Sequence, residues 1–251
     1  MLLSNQPSYS IVAVHGLNGH RGKTWTAKME FTGFVIFSLT IFPEPVSSAG
    51  ATMQTRMLSL VFLYDHARTL VSDLNRKRKL TNSSQRPIIF IAHSLGGIVL
   101  KSALIHSDAA RQGALLEQQS VKLSTYGILF MGTPHQGGNG VQLGRILANI
   151  VSVFVAANDC ILKHLERDSE WLLQQLGQYG PISSDRDEIC NSGWYIPLPL
   201  LGNLVAEPRQ VVPRASAVVP GQADAESILI HADHKNMVKF LSKQDVGYTT
   251  V

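Results

Sequence analysis

The 251-residue chain contains two cysteines, Cys160 and Cys190, and no CxxC pair or cysteine/histidine cluster. Two thiols cannot build the disulfide framework of a small secreted fold, and no zinc-ligand spacing is present. A reducing intracellular setting, cytoplasmic by default, and a site without metal are therefore expected. Charged residues are also few, at 16%, against 45% hydrophobic residues, which excludes a disordered chain as the main content. No apolar run reaches membrane-spanning length. The longest, Phe31 to Phe42, contains Gly33, Ser38 and two threonines and runs into Pro-Glu-Pro, well short of the roughly 20 residues a spanning helix needs. The opening residues MLLSNQPS lack the basic start and apolar stretch of a secretory signal, so no export is expected.

Acidic charge is the scarcer sign, leaving a net +4, and the basic residues concentrate at Arg76-Lys77-Arg78-Lys79. A nucleic-acid surface would interleave aromatic rings with such a cluster, and none occurs here. The cluster reads instead as the solvated last turn of a helix, where cations complement the dipole, and no nucleic-acid partner is expected.

What the chain does have is alternation. Ser10 to Val14, Ile88 to Ala92 and Thr125 to Met131 are short apolar runs with β-branched residues, each running into a glycine-containing segment, and they predict buried strands. Leu63, Ala67, Leu70, Val71 and Leu74 recur at helical spacing, and Leu95 to His106, Val141 to Ala157 and Asp159 to Leu176 have helix length. Gln210 to Val212 and Ile228 to Ile230 are weaker strand candidates, with Asp233 to Leu241 as a closing helix. Strands alternating with helices predict one α/β domain over residues 1–251, a mostly parallel sheet with helices on both faces. Residues 31–53 and 186–207 lack clean periodicity and are expected to be irregular cover.

The strand Ile88 to Ala92 runs into Ala92-His93-Ser94-Leu95-Gly96 and then a helix. That is the pattern of a nucleophile elbow, the strand-turn-helix in which a serine is thrust above the carboxyl edge of a sheet and its flanks stay small. Alanine stands where glycine is usual. The bland alternative for Ser94 is a helix N-cap, which would not need small residues on both sides. A serine hydroxyl needs a base, and the oxyanion it generates needs donors. The backbone N–H of Leu95 and, from the loop His15-Gly16-Leu17, that of Leu17 are the candidate donors. In this fold the chain order is serine, acid, histidine, which makes His15 too early and points to His234 in His231-Ala232-Asp233-His234. The acid is expected between Val212 and Ser227, where Asp224 is preferred and Asp159 is the fallback. His15, Gly16, His93 and His135 are expected to line or support the site.

The stretches IVAVHGLNGHRGKTW, RPIIFIAHSLGGIVLKSAL, STYGILFMGTPHQGG and HADHKNMVKF together resemble the lipase-like α/β-hydrolases of the serine-active-site-containing protein group. The chain looks like the version found at the N-termini of fungal multidomain proteins, ahead of NACHT or NB-ARC modules. The resemblance implies an α/β-hydrolase fold, Ser94 as nucleophile, His234 as base and His15-Gly16-Leu17 as oxyanion loop. It also implies intracellular proteins, some of them associated with the endoplasmic reticulum, mitochondria and phospholipid handling, so peripheral membrane contact stays open. The expected activity is cleavage of a carboxylic ester, of a small molecule or lipid, without a cofactor. The rival from another class is a catalytically silent module that keeps the fold. A nucleotide-binding reading of Gly22-Lys23-Thr24 fails on register, because the phosphate loop needs glycine at position 17, which is leucine.

Overall fold

The computed structural model describes residues 9–17, 19–20, 22–27, 37–38, 60–110, 116–136, 143–154, 173–174, 177–183, 188–193, 211–212, 214–217, 225–230 and 232–250. In chain order the elements are β1 (Ser10–Val14), β2 (Phe37–Ser38), α1 (Leu60–Leu80), β3 (Ile88–His93), α2 (Leu95–Ala109), α3 (Leu116–Ser124), β4 (Thr125–Met131), α4 (Leu143–Phe154), α5 (Tyr179–Ser183), β5 (Glu188–Gly193), α6 (Arg214–Ala217), β6 (Ala225–Leu229) and α7 (Val246–Thr250). The strands form one sheet in the order β2-β1-β3-β4-β5-β6, and every neighbouring pair is parallel.

Successive residues of a strand point to opposite faces, so burial along a strand reports on both. In β3, Phe90 and Ala92 are buried on one face and Ile91 and His93 on the other, and Ile128 to Met131 of β4 are buried without a break. Both faces of the sheet centre are therefore covered, as an apolar parallel sheet requires. On α1 the expected stripe Leu63, Ala67, Leu70, Val71 and Leu74 is buried, and α1, α2 and α3 pack against one another.

One topological fact positions everything that follows. The strand after β1 in sequence, β2, lies on one side of it, while β3 lies on the other. The carboxyl ends of β1 and β3 thus form the topological switch point of the sheet, the position at which ligands of open α/β sheets bind. His15-Gly16-Leu17 leaves β1 there, and Ser94 leaves β3 there.

Several expectations need correction. Residues 31–53 and 186–207 are not merely irregular cover: Phe37–Ser38 pairs with β1, and Glu188–Gly193 runs between β4 and β6. The sequence Glu-Ile-Cys-Asn-Ser-Gly has little intrinsic strand character, and ladders on both sides override that. Val211 and Val212 form a bend rather than a strand, and Asp233 to Leu241 is a run of turns rather than a helix. Its single helical turn, Met237 N–H to Asp233 carbonyl at 2.9 Å, does not propagate, and Met237, Val238 and Phe240 are all buried at a spacing one helix face cannot offer. The helix α3 was not expected from periodicity. Of the helix expected over Asp159 to Leu176, only Leu173 and Gln174 lie among the described residues, and both are helical.

The basic cluster also departs from a wholly solvated turn. Arg78 is buried, and its guanidinium donates to the Arg86 carbonyl at 2.9 Å, the Ser84 carbonyl at 2.5 Å and Ser124 Oγ at 3.0 Å. It thereby ties the end of α1 to the turn that enters β3 and to the end of α3. Arg78→Ala is expected to lower stability by on the order of 3 kcal/mol by stranding these acceptors. Lys77→Ala, at an exposed position, is expected to change it by less than about 0.5 kcal/mol. Urea unfolding of the two variants measures the difference, and equal midpoints would contradict the tie.

Candidate active site

Ser94 stands between the last residue of β3 and the first of α2 with φ 56° and ψ −131°. An L residue in such a conformation costs about 1–3 kcal/mol and persists only where its surroundings hold it. The holding groups are explicit. Ser94 N–H donates to the Met131 carbonyl of β4 at 2.9 Å, and the Ser94 carbonyl accepts from Gly97 N–H and from Thr133 Oγ1, each at 3.1 Å. The hydroxyl makes no cap hydrogen bond to the helix it precedes, so the N-cap alternative does not describe its use.

The requirement for small flanks is visible in the contacts. A Cβ on Gly96 would sit 2.4 Å from the Val14 carbonyl oxygen, because α2 starts hard against the end of β1. A Cβ on Gly16 would lie 2.8 Å from Ser94 Cβ and 3.2 Å from Ser94 Oγ. The loop leaving β1 therefore runs directly over the serine. Ala92, in place of the usual glycine, is fully buried and tolerated.

Ser94 Oγ lies 2.8 Å from His234 Nε2, although 140 residues of chain separate them. Both side chains are buried, Ser94 at 0% and His234 at 1% exposure. His234 rides on the turns after β6, where Asp233 Oδ1 accepts from the N–H groups of Lys235 and Asn236, both at 2.9 Å. Burial foremost, then His93 and Lys235, holds the His234 ring well below the ordinary histidine pKa. The imidazole is thus neutral near pH 7 and Nε2 is able to accept the hydroxyl proton.

The other expected residues fall as follows. His15 is buried beneath Gly19, and its Nδ1–H donates to the Gly16 carbonyl at 3.0 Å, so it braces the loop rather than facing the hydroxyl. Burial lowers its pKa. Leu17 and Leu95 are buried beside Gly16 and Ser94. His93 lies against His234, with ring centroids 5.1 Å apart, and donates from Nε2 to the His234 carbonyl at 2.8 Å. Burial lowers its pKa to about 4. His135 is buried 2.5 Å from Lys101 Nζ, with its N–H bonded to the Ser216 carbonyl at 2.6 Å. Asp224, Asp159 and His231 lie outside the described residues. Ala225, which follows Asp224, is the first residue of β6, at the amino end of a strand parallel to β3, whereas Ser94 follows the carboxyl end of β3.

Two residues escaped the sequence reading. Thr133 seals the elbow from β4, and a Cβ on Gly97 would strike its side chain at 2.1 Å. The signal was adjacency: in a parallel sheet the loop after β4 must end beside the loop after β3. Lys101 is buried inside the apolar run Ile98 to Leu104, near the rings of Phe130 and Tyr179, and burial brings its pKa down to about 7. A lysine within such a run was itself a signal.

The nucleotide-binding alternative meets a geometric obstacle as well. The N–H groups of Gly22 and Lys23, which would have to cradle phosphate, donate to His20 Nδ1 at 3.0 and 3.2 Å. Among the described residues no group of three or more His, Cys, Asp or Glu could hold a metal, and no helix is long and apolar enough to cross a membrane.

The parallel sheet with its strand-turn-helix at Ser94 is compatible with an α/β-hydrolase-like fold. No protein-family model matches the chain. Protein SERAC1 of Danio rerio is 42% identical over 65 residues, 26% of this chain and 9% of that protein. Protein SERAC1 of Homo sapiens is 26% identical over 169 residues, 67% of this chain and 23% of that protein. The bovine protein, from Bos taurus, is 28% identical over 98 residues, 39% of this chain and 14% of that protein. The chain thus spans less than a quarter of the length of these relatives. Among solved structures, the RedJ thioesterase of the prodiginine biosynthetic pathway in Streptomyces coelicolor superposes with a TM-score of 0.42 at 10% identity, over 92% of this chain and 84% of that one.

The buried histidines set a pH dependence. His15, His93, His135 and His234 all have lowered pKa values, so below about 6.5 the unfolded chain binds protons that the native chain refuses. Stability from this source is complete above pH 6.5 and is lost as pH falls towards the folded values, about 4 for His93, which alone accounts for up to about 3 kcal/mol. Urea midpoints are expected to drop between pH 6.5 and 4.5; a flat profile there would contradict the burial of neutral imidazoles.

Proposed function

We propose that the protein is a serine hydrolase of the α/β-hydrolase fold that cleaves carboxylic esters through an acyl-enzyme. The observation that carries this reading is the 2.8 Å contact between Ser94 Oγ, on a strained backbone, and His234 Nε2. Ser94 Oγ attacks the ester carbonyl carbon while its proton passes to His234 Nε2. The tetrahedral oxyanion is received by the N–H groups of Leu17 and Leu95, and the proximity of the Gly16 backbone to Ser94 supports a donor from that loop. The His234 imidazolium then gives its proton to the departing alcohol. Water, activated by the same imidazole, releases the acid.

The lowered pKa of His234 makes a carboxylate partner valuable, because the imidazolium formed at each step is otherwise disfavoured by burial. Asp224 is the carboxylate proposed for that role. The position of Ala225 at the amino end of β6 weighs against it, and Asp159 is the alternative. The apolar character of residues 31–53 and 186–207 favours a lipid or acyl ester as substrate, met inside the cell by a protein in peripheral contact with a membrane.

Purified protein is expected to be labelled by a fluorophosphonate probe, and Ser94→Ala, folded by circular dichroism, is expected to take no label. His234→Ala should slow labelling by several orders of magnitude. Folded wild-type protein that stays unlabelled would instead favour the silent module. The acid is found by asparagine substitution: Asp224→Asn should cut turnover on the order of 10³–10⁴-fold if Asp224 orients the base. Turnover at the wild-type rate would remove Asp224 and send the same test to Asp159.

A further inference from the structure

The base has no regular element beneath it. His234 sits in turns held by the local bonds from Asn236 and Met237 N–H to the Asp233 carbonyl, and its ring meets Ser94 Oγ at hydrogen-bond distance. One long-range bond reaches the root of that side chain. His93 Nε2 lies 2.8 Å from the His234 carbonyl oxygen, an atom that can only accept, so the Nε2 proton of His93 is the donor. His93 is buried and immediately precedes the nucleophile, as the last residue of β3.

We propose that His93 is a positioning residue for the catalytic base: its Nε2–H clamps the His234 carbonyl, so that nucleophile and base are both indexed to the end of one strand. The inference rests on the reading of His234 as base. Ser94 holds His234 at the ring and His93 holds it at the backbone, 141 residues apart in the chain. With both bonds made, the ring has little freedom to swing about its own Cα. With the His93 bond absent, the turns from Ala232 to Phe240 lose that tie to the end of β3 and the Ser94 contact bears more of the alignment. The spacing of reacting groups tolerates little error, since a shift of about 1 Å costs on the order of 10²-fold in rate. The tilted stack of the two rings, 5.1 Å between centroids, adds a second constraint on the same side chain. The depressed pKa of His93 supports the role, because a neutral ring donates here without placing a cation beside the imidazolium that forms on His234.

Two variants separate positioning from bulk. His93→Leu fills the space without a donor, and His93→Gln places an amide N–H where Nε2 stood. Fluorophosphonate labelling of Ser94 is expected to slow by about tenfold or more in H93L and to recover to within about threefold of wild type in H93Q. Amide exchange over residues 232–238 should rise about tenfold in H93L and return in H93Q, and this readout does not require the protein to be an enzyme. Unlabelled wild-type protein would sink the hydrolase reading alone and leave the exchange arm to decide the clamp. Folded H93L with wild-type labelling and exchange, or H93Q no better than H93L in both, would overturn the proposal.

Discussion

The structure depends on the backbone of one residue being kept where an L amino acid does not rest unaided. Ser94 is strained, and what confines it comes from the two strands that flank β3 in the sheet. β1 ends against Gly96, β4 takes the Ser94 N–H through Met131, and Thr133 in the loop after β4 holds the Ser94 carbonyl. Each group is present because β1, β3 and β4 are adjacent and parallel, so that their carboxyl ends meet at one edge. The cost of the strain is offset by the packing of the sheet centre, where β3 and β4 are buried. A strained serine so held places its hydroxyl at the switch point where β2 and β3 lie on opposite sides of β1.

That edge of the sheet is furnished with neutral imidazoles. Four histidines and one lysine are buried at or near the carboxyl ends of β1, β3 and β4, and burial lowers the pKa of every one. Each has a separate mechanical assignment. His15 closes the turn after β1, His93 bonds the His234 carbonyl, His234 meets the Ser94 hydroxyl, and His135 with Lys101 ties the loop after β4 to α2. Imidazole suits such posts because it is large enough to pack, polar enough to bond at a chosen edge, and uncharged when buried.

The meeting of Ser94 with His234 was legible, since small flanks around a serine after an apolar run mark a tight strand-turn-helix and its histidine partner was expected late in the chain. The sequence announced the outer strands poorly. Glu188–Gly193 reads as polar and carries no alternation, and only its two partners make it a strand. The segment from Asp233 to Leu241 looked helical because Asp233 caps its own first turn, a local signal that tertiary burial of Val238 and Phe240 then overrules. Arg78 shows the same limit from the other side: a basic run on a helix end cannot reveal which of its members turns inward to bind carbonyls. The Lys101–His135 contact was invisible because residues 34 positions apart meet only once β3 and β4 are paired.

The central claim is that an alcohol and an imidazole 140 residues apart in the chain share a proton at the edge of β3. A crystal structure of the protein after reaction with a fluorophosphonate tests it most directly. The account predicts phosphorus bonded to Ser94 Oγ, a positive φ at Ser94, and His234 Nε2 within hydrogen-bond reach of the adduct. An adduct on another residue, or a His234 ring turned away from an intact Ser94 elbow, would contradict it.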